Sequence, residues 1–359
     1  MVNIFFVGGT GHIGGAVLDQ LLQKYADAKV KALVRDEAKG SRLVAKYPSV
    51  EVIVGTTTDL ELLEKASKEA DIVVNTSPDI THDAGIKAIL SGLKARGGPN
   101  KPYYIHTSGA SLIWDEPTGS KDAHWWDDIT DVQDIIGFKG EAYTHAVTDK
   151  IVRDGASDVN VAIVSPGFVG GMSPSIEHPT PITTPAIFLT ARAFKSGWQI
   201  DQGENIHAWI DVSDLAKIFI ILVDKATAEL AGTAVSAPFP LWGPEAYYFG
   251  VGENISFADF MQGLAPVLKD QGVIGSAEIK SVSVTEAARA SIAGSDYDPD
   301  APPPALDSWA MHIAIMYGIN MRLKPSRAEQ LGWKADKGSV VESFPQVVAE
   351  FLKNEKASA

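Results

Sequence analysis

Short apolar runs recur along the first half of the chain, each closing on a polar or glycine-rich turn. After each turn, leucine, valine and alanine return at helical spacing. Ile4-Phe5-Phe6-Val7 runs into Gly8-Gly9-Thr10-Gly11-His12-Ile13-Gly14-Gly15, and Ala16-Val17-Leu18 with Leu21-Leu22 then mark a helix. Further strands are predicted at residues 30–34, 50–54, 71–75, 103–106 and 159–164. Helices are predicted over 43–47, 60–66, 84–95 and 141–154, the third stopped by Gly97-Gly98-Pro99. Strand and helix in alternation predict an α/β fold built on a doubly wound parallel sheet. Ligands bind beyond the carboxyl ends of such strands, so the segments after Val7, Val34, Val54, Asn75 and His106 should line one cleft.

Past residue 113 the rhythm breaks. Residues 114–140 are polar and acidic, with Trp125-Trp126-Asp127-Asp128 inside, and read as an excursion over the cleft. A proline-rich stretch, 174–185, leaves the sheet. A helix over 215–225 has an apolar face of Leu215, Ile218, Phe219 and Leu222, and another is expected over 340–353. A chain of 359 residues exceeds the roughly 100–200 of one ordinary core, so two lobes are expected.

Composition narrows the partners. An apolar share of 45% and a charged share of 21% suit an ordinary globular protein. No apolar run reaches the roughly 20 residues that span a bilayer, so no membrane partner is expected. The net charge of −14 would repel a phosphate backbone, which argues against nucleic acid. Without cysteine there is no disulfide, thiolate nucleophile or zinc–thiolate site, and the histidines lack metal-ligand spacing. The first strand begins almost at once, leaving no room for a secretory signal, and a cytoplasmic location is expected. A small-molecule substrate and a second copy of the chain remain as partners.

The glycine turn carries the clearest chemistry. Gly8, Gly11 and Gly14 stand three apart between a strand and a helix, the context a dinucleotide site requires. Gly8 permits the turn, Gly11 leaves the backbone bare for a pyrophosphate, and Gly14 lets helix and strand pack closely. Thr10, His12 and Ile13 complete the turn at a helix N-terminus whose free N–H groups suit phosphates.

Taken in order, these glycines, His106-Thr107-Ser108, Ser165-Pro166-Gly167, the stretch from Trp209 to Ala216 and the stretch from Arg327 to Trp333 resemble the extended short-chain dehydrogenase/reductases. That superfamily holds nucleotide-sugar epimerases, dehydratases and dihydroflavonol-type reductases, with NmrA-like proteins as atypical relatives. The resemblance implies a Rossmann domain carrying NAD(P) over residues 1–170, to which 205–228 return. It implies a smaller C-terminal α/β substrate lobe over 171–204 and 229–359, and a homodimer made through the helices after the fourth and fifth strands. It carries Asp59 over to the adenine, and Thr76, Ser77 and Pro78 to the ribose and nicotinamide side. Thr107 falls in the same cleft, and Pro166 with Phe168 in the turn against the nicotinamide. Trp209, Trp242, Tyr247, Tyr248, Phe249 and Trp309 would give the substrate lobe an apolar lining.

NAD-specific domains end the second strand on an acid; here it ends at Arg35, with Lys39 and Arg42 behind. Arginine at that position accommodates a 2′-phosphate through its forked donors, so NADP(H) is expected over NAD. Asp36, next along, is the residue that could hold a ribose hydroxyl instead.

Superfamily catalysis uses Tyr-x-x-x-Lys, placed on one helical face so that lysine lowers the phenol pKa. Here that pair is broken. Val147 stands four residues after Tyr143, and an alignment on Lys150 puts Glu141 and His145 at the two positions. The catalytic serine position falls on Gly109, with Ser108 and Ser111 beside it. Three proton donors are chemically able to substitute: His145 with Glu141, Tyr143 alone or with Lys150, and His124 from the excursion. Two functions fit. One is an NADP(H)-dependent oxidoreductase acting on a carbonyl or alcohol of a small, partly apolar substrate, with redox-neutral epimerase, dehydratase or isomerase chemistry as a variant. The other is an NmrA-like protein that holds the dinucleotide and reports its state without turnover.

Overall fold

The computed structural model describes residues 2–77, 83–138, 145–293 and 296–358. The chain opens as β1 (Asn3–Val7), α1 (His12–Lys24), β2 (Lys29–Val34), α2 (Glu37–Lys46), β3 (Val50–Val54) and α3 (Leu60–Lys68). It continues through β4 (Ile72–Asn75), α4 (Asp83–Ala95), β5 (Tyr103–Thr107), β6 (Trp126–Asp127), α5 (Val132–Gly137), α6 (Ala146–Asp154) and β7 (Asn160–Pro166). Then come β8 (Phe168–Gly170), α7 (Thr184–Phe194), β9 (Gly197–Ile200), β10 (Ile206–Asp211), α8 (Val212–Leu230), β11 (Tyr247–Gly250) and β12 (Glu253–Ser256). The last elements are α9 (Phe257–Asp270), β13 (Ile279–Val282), α10 (Val284–Ala293), α11 (Trp309–Gly318), β14 (Leu323–Lys324), α12 (Ser326–Gln330) and α13 (Phe344–Ser358).

Seven parallel strands make the central sheet, in the order β3–β2–β1–β4–β5–β7–β11. Period-two alternation puts Phe5 and Val7 of β1 into one apolar layer and Ile4 and Phe6 into the other, so both faces are covered. The strand order reverses between β1 and β4, and a crevice opens there beyond Val7 and Asn75, which are in register. His106 at the end of β5 is level with Asn75. A three-stranded sheet, β12–β10–β8, and two two-stranded ones, β13–β9 and β14–β6, build the region beyond.

Two expectations are corrected here. Tyr247, Tyr248 and Phe249 do not line a substrate lobe; they form β11, the seventh strand, and are buried in the two core layers. Trp209 is also buried, stacked between Phe168 and Phe260. The excursion is tethered: β6 pairs with β14 from near the C-terminus. No helix among the described residues is long and apolar enough to cross a membrane.

Candidate active site

β1 ends in a turn that only glycine can make. Gly8 has φ +92°, and Gly11 donates its N–H back to the Gly8 carbonyl at 2.9 Å. A Cβ on Gly14 would lie 2.0 Å from the Gly8 oxygen and 2.5 Å from Thr76 Oγ1, so α1 meets the strand too closely for any side chain. Thr76 Oγ1 bonds the Val7 carbonyl at 2.9 Å, locking β4 to the same turn. Gly11 caps α1 without a side-chain bond, which leaves the first-turn N–H groups for a phosphate. This cradle fits a pyrophosphate.

Gly8, Thr10, Gly11, Arg35, Lys39, Thr56 and Ser77 line the cleft on the β2 side of the turn. Asp36 is committed to α2, where Oδ1 accepts the Lys39 N–H at 2.8 Å. Asp59 shapes the loop after β3 by accepting from Thr56 N at 2.6 Å and Oγ1 at 3.0 Å, so Thr56 rather than Asp59 lines the cleft. Pro78 lies outside the described residues.

On the other side of the turn is a cavity of about 610 Å³, lined by His12, Ile13, Ser108, Ser111, Trp114, His145, Pro166, Phe168, Ile182, Met316 and Met321 among others. Phe168 is fixed there by stacking on Trp209 (4.9 Å) and Tyr317 (6.0 Å) and by the His207 ring 4.7 Å away. Ser111 Oγ, Trp114 Nε1 and His12 Nε2 are buried at the wall and have no hydrogen-bond partner among the described residues. Burial pushes the His12 imidazole down to about 4, which keeps it neutral.

His145 stands against the bare backbone of Gly109. A Cβ at 109 would lie 2.8 Å from His145 Nε2, so the imidazole occupies the space a side chain at 109 would need. One turn on is Asp149, which the sequence reading missed; its N–H donates to the His145 carbonyl at 2.9 Å. Ser108 Oγ donates to Asp149 Oδ2 at 2.7 Å, and the Tyr247 hydroxyl donates to the same oxygen at 3.2 Å. Oδ1 lies 3.7 Å from His106 Nε2, and His106 Nδ1 is 3.0 Å from the Tyr104 hydroxyl, which receives Asn75 Nδ2 at 3.0 Å. All of these side chains are buried. Burial lifts the Asp149 carboxyl to about 7, and burial with the neighbouring His145 lowers His106 to about 3. His145 and Asp149 are spaced i, i+4, the signal that could have found the pair.

The other proposed donors are placed elsewhere. Lys150 is exposed and paired with Asp154 at 2.6 Å, and it does not line the cavity. His124 is exposed, 3.2 Å from Asp131, and lines neither cleft nor cavity. Thr107 is buried and lines neither. Glu141 and Tyr143 lie outside the described residues.

Residues 8–174 match the NAD(P)H-binding family. Oxidase ucsJ from Acremonium sp. is 29% identical over 347 residues, 92% of either chain. An uncharacterised protein of Saccharomyces cerevisiae is 25% identical over 234 residues, 62% of this chain and 71% of its own. Among solved structures, the dTDP-glucose 4,6-dehydratase of Bacillus anthracis in complex with NAD has a TM-score of 0.63 at 14% identity, covering 99% of this chain and 98% of that one. The yeast methylglyoxal/isovaleraldehyde reductase complexed with NADPH has a TM-score of 0.59 at 14% identity, covering 99% of both. Identities this low speak for the fold. Fold and matched segment together define the class: a doubly wound α/β protein with the fold of those dehydratase and reductase structures, its residues 8–174 matching the NAD(P)H-binding family.

Proposed function

We propose that the chain is an NADP(H)-dependent oxidoreductase acting on the alcohol or carbonyl of a small, partly apolar substrate, with His145 as the proton relay. The observation that carries this is the His145 imidazole pressed into the space a side chain at 109 would need, on the wall of an apolar cavity beside the dinucleotide cradle. Bound cofactor would supply or take the hydride. Arg35 is exposed at the cleft and makes no ion pair among the described residues, which leaves its guanidinium for a 2′-phosphate.

The direction follows from one hydrogen. Ser108 spends its proton on Asp149, so its oxygen is left to accept from a substrate hydroxyl. In the oxidation that hydroxyl hydrogen turns from Ser108 to His145, which takes the proton as the hydride leaves the alcohol carbon for the cofactor. Once Asp149 is protonated, Ser108 can turn its hydrogen to a carbonyl and the reverse reaction is served. The likeness to a protein named an oxidase agrees with the first direction. An apolar chamber with unpartnered polar atoms supports turnover over a holding role.

The test is His145→Ala, followed as NADPH absorbance with a panel of apolar alcohols and aldehydes. Turnover should vanish while calorimetric NADPH affinity persists; an unaltered rate sinks the proposal. Arg35→Ala should weaken NADPH binding and leave NADH nearly unchanged. We also propose the homodimer through α4 and α6, where Val147 is half-exposed on α6; Val147→Glu should shift sedimentation toward the monomer.

A further inference from the structure

A strap crosses the glycine turn. After β8 the chain passes over the start of α1, where Ser173 Oγ donates to the His12 carbonyl at 2.6 Å and Ser175 Oγ to the Thr10 carbonyl at 2.7 Å. A Cβ on Gly15 would lie 2.6 Å from Ser175 Cα, so the strap rests directly on the helix. It then reaches α2. Arg42 donates from Nε (2.8 Å) and Nη2 (2.5 Å) to Glu177 Oε1, and Oε2 lies 4.0 Å from Lys39 Nζ. Lys46 Nζ holds the Pro174 carbonyl. Glu177 is only 17% exposed, whereas Arg42 is 52% exposed. The strap thus delivers a carboxylate to the cations that stand behind Arg35.

We propose that Glu177 sets the cofactor preference: its carboxylate holds Arg42 and draws on Lys39 until a 2′-phosphate takes those cations from it. The inference rests on the reading that this cleft receives the 2′-phosphate beside Arg35. A phosphate dianion competes for the two cations more strongly than a carboxylate monoanion. NAD, with a neutral 2′-hydroxyl, has no claim on them and leaves the Glu177–Arg42 pair in place. Beyond Glu177 the same segment continues as His178, which lines both cleft and cavity, and as Thr180 to Thr183 on the cavity wall. Release at Glu177 therefore loosens a wall of the substrate chamber when the phosphorylated cofactor is bound.

Calorimetry on the full chain with NADP+, NAD+, 2′,5′-ADP and 5′-ADP tests this. E177Q should tighten NADP+ and 2′,5′-ADP by roughly five- to thirtyfold at low salt, with the gain shrinking as salt rises. NAD+ and 5′-ADP should not change. R42Q should weaken NADP+ selectively, and E177Q should add little in the R42Q background. An equal change for both cofactors, or none, overturns the proposal, and so does a loss of NAD+ affinity, which would make Glu177 a ribose ligand. If the unaltered chain favours NAD+ while E177Q still gives the selective gain, the NADP preference fails and the role of Glu177 stands.

Discussion

At the scale of single residues, Gly109 and His145 act as a matched pair. Gly109→Ala would put a methyl group 2.8 Å from Nε2 and drive the imidazole off the wall. Turnover should fall by about 10²–10⁴, the usual worth of a positioned acid or base, with NADPH affinity retained in calorimetry. Asp149 adds a pH signature. Its carboxyl keeps its proton to about 7 in the fold and releases it near 3.8 in the unfolded chain. Between those values the folded state binds more protons, so this group makes stability fall as pH rises. His106 acts oppositely: the unfolded chain takes up its proton near 6.5 and the fold refuses it to about 3, so its contribution is whole above 6.5 and is lost on acidification. The two slopes oppose each other between about pH 4 and 6.5, so Asp149→Asn should leave stability rising with pH over that range in urea titrations, and remove the rise in alcohol oxidation through about 7. Ser108 was legible in the sequence as a polar neighbour of Gly109, and His145 as a titratable residue on the helix predicted over 141–154. Asp149 was not, because one acid a turn after His145 looks like any solvated helix charge until Ser108 and Tyr247 are seen to close on it.

Elements were read where their signal is local. The six strands from β1 to β7 that enter the central sheet, and the turns that close them, follow from apolar runs and glycine stops. β11 did not, since Tyr247-Tyr248-Phe249-Gly250 is a short run inside an irregular region, and its parallel pairing with β7 joins residues far apart in sequence. Such pairing leaves no periodic trace. The junction of β1 and α1 offers a test at this scale. Gly14→Ala sets a methyl carbon against main chain rather than a yielding side chain, so it should destabilise the fold by about 1–3 kcal/mol in chemical denaturation and abolish dinucleotide binding.

For the whole molecule, the late chain is bound to the sheet through one buried cluster of hydrogen bonds. Arg327 donates from N to Asp128 Oδ1 (2.9 Å), from Nε to the Asp128 carbonyl (3.0 Å) and from Nη1 to the Pro240 carbonyl (2.9 Å). Asp128 Oδ2 accepts the Phe249 N–H of β11 at 2.9 Å, so α12, the excursion and the seventh strand meet at one point. Trp333 reaches back to the Asp214 carbonyl at 2.9 Å, joining two of the motifs on which the resemblance rested. Asp128→Ala leaves the buried main-chain N–H groups of Arg327 and Phe249 without their acceptor, and should cost about 1–3 kcal/mol for each by urea titration. That those motifs touch explains why their order was informative although each is soft alone.

The cleft and the cavity, proposed above for dinucleotide and substrate, share Gly11 and His178 as a common partition. An occupant of the cleft becomes part of the floor on which the second ligand must settle, so the two should bind in compulsory order, dinucleotide first and organic substrate second. In product-inhibition experiments NADPH should then compete with NADP+, while the oxidised organic product should not.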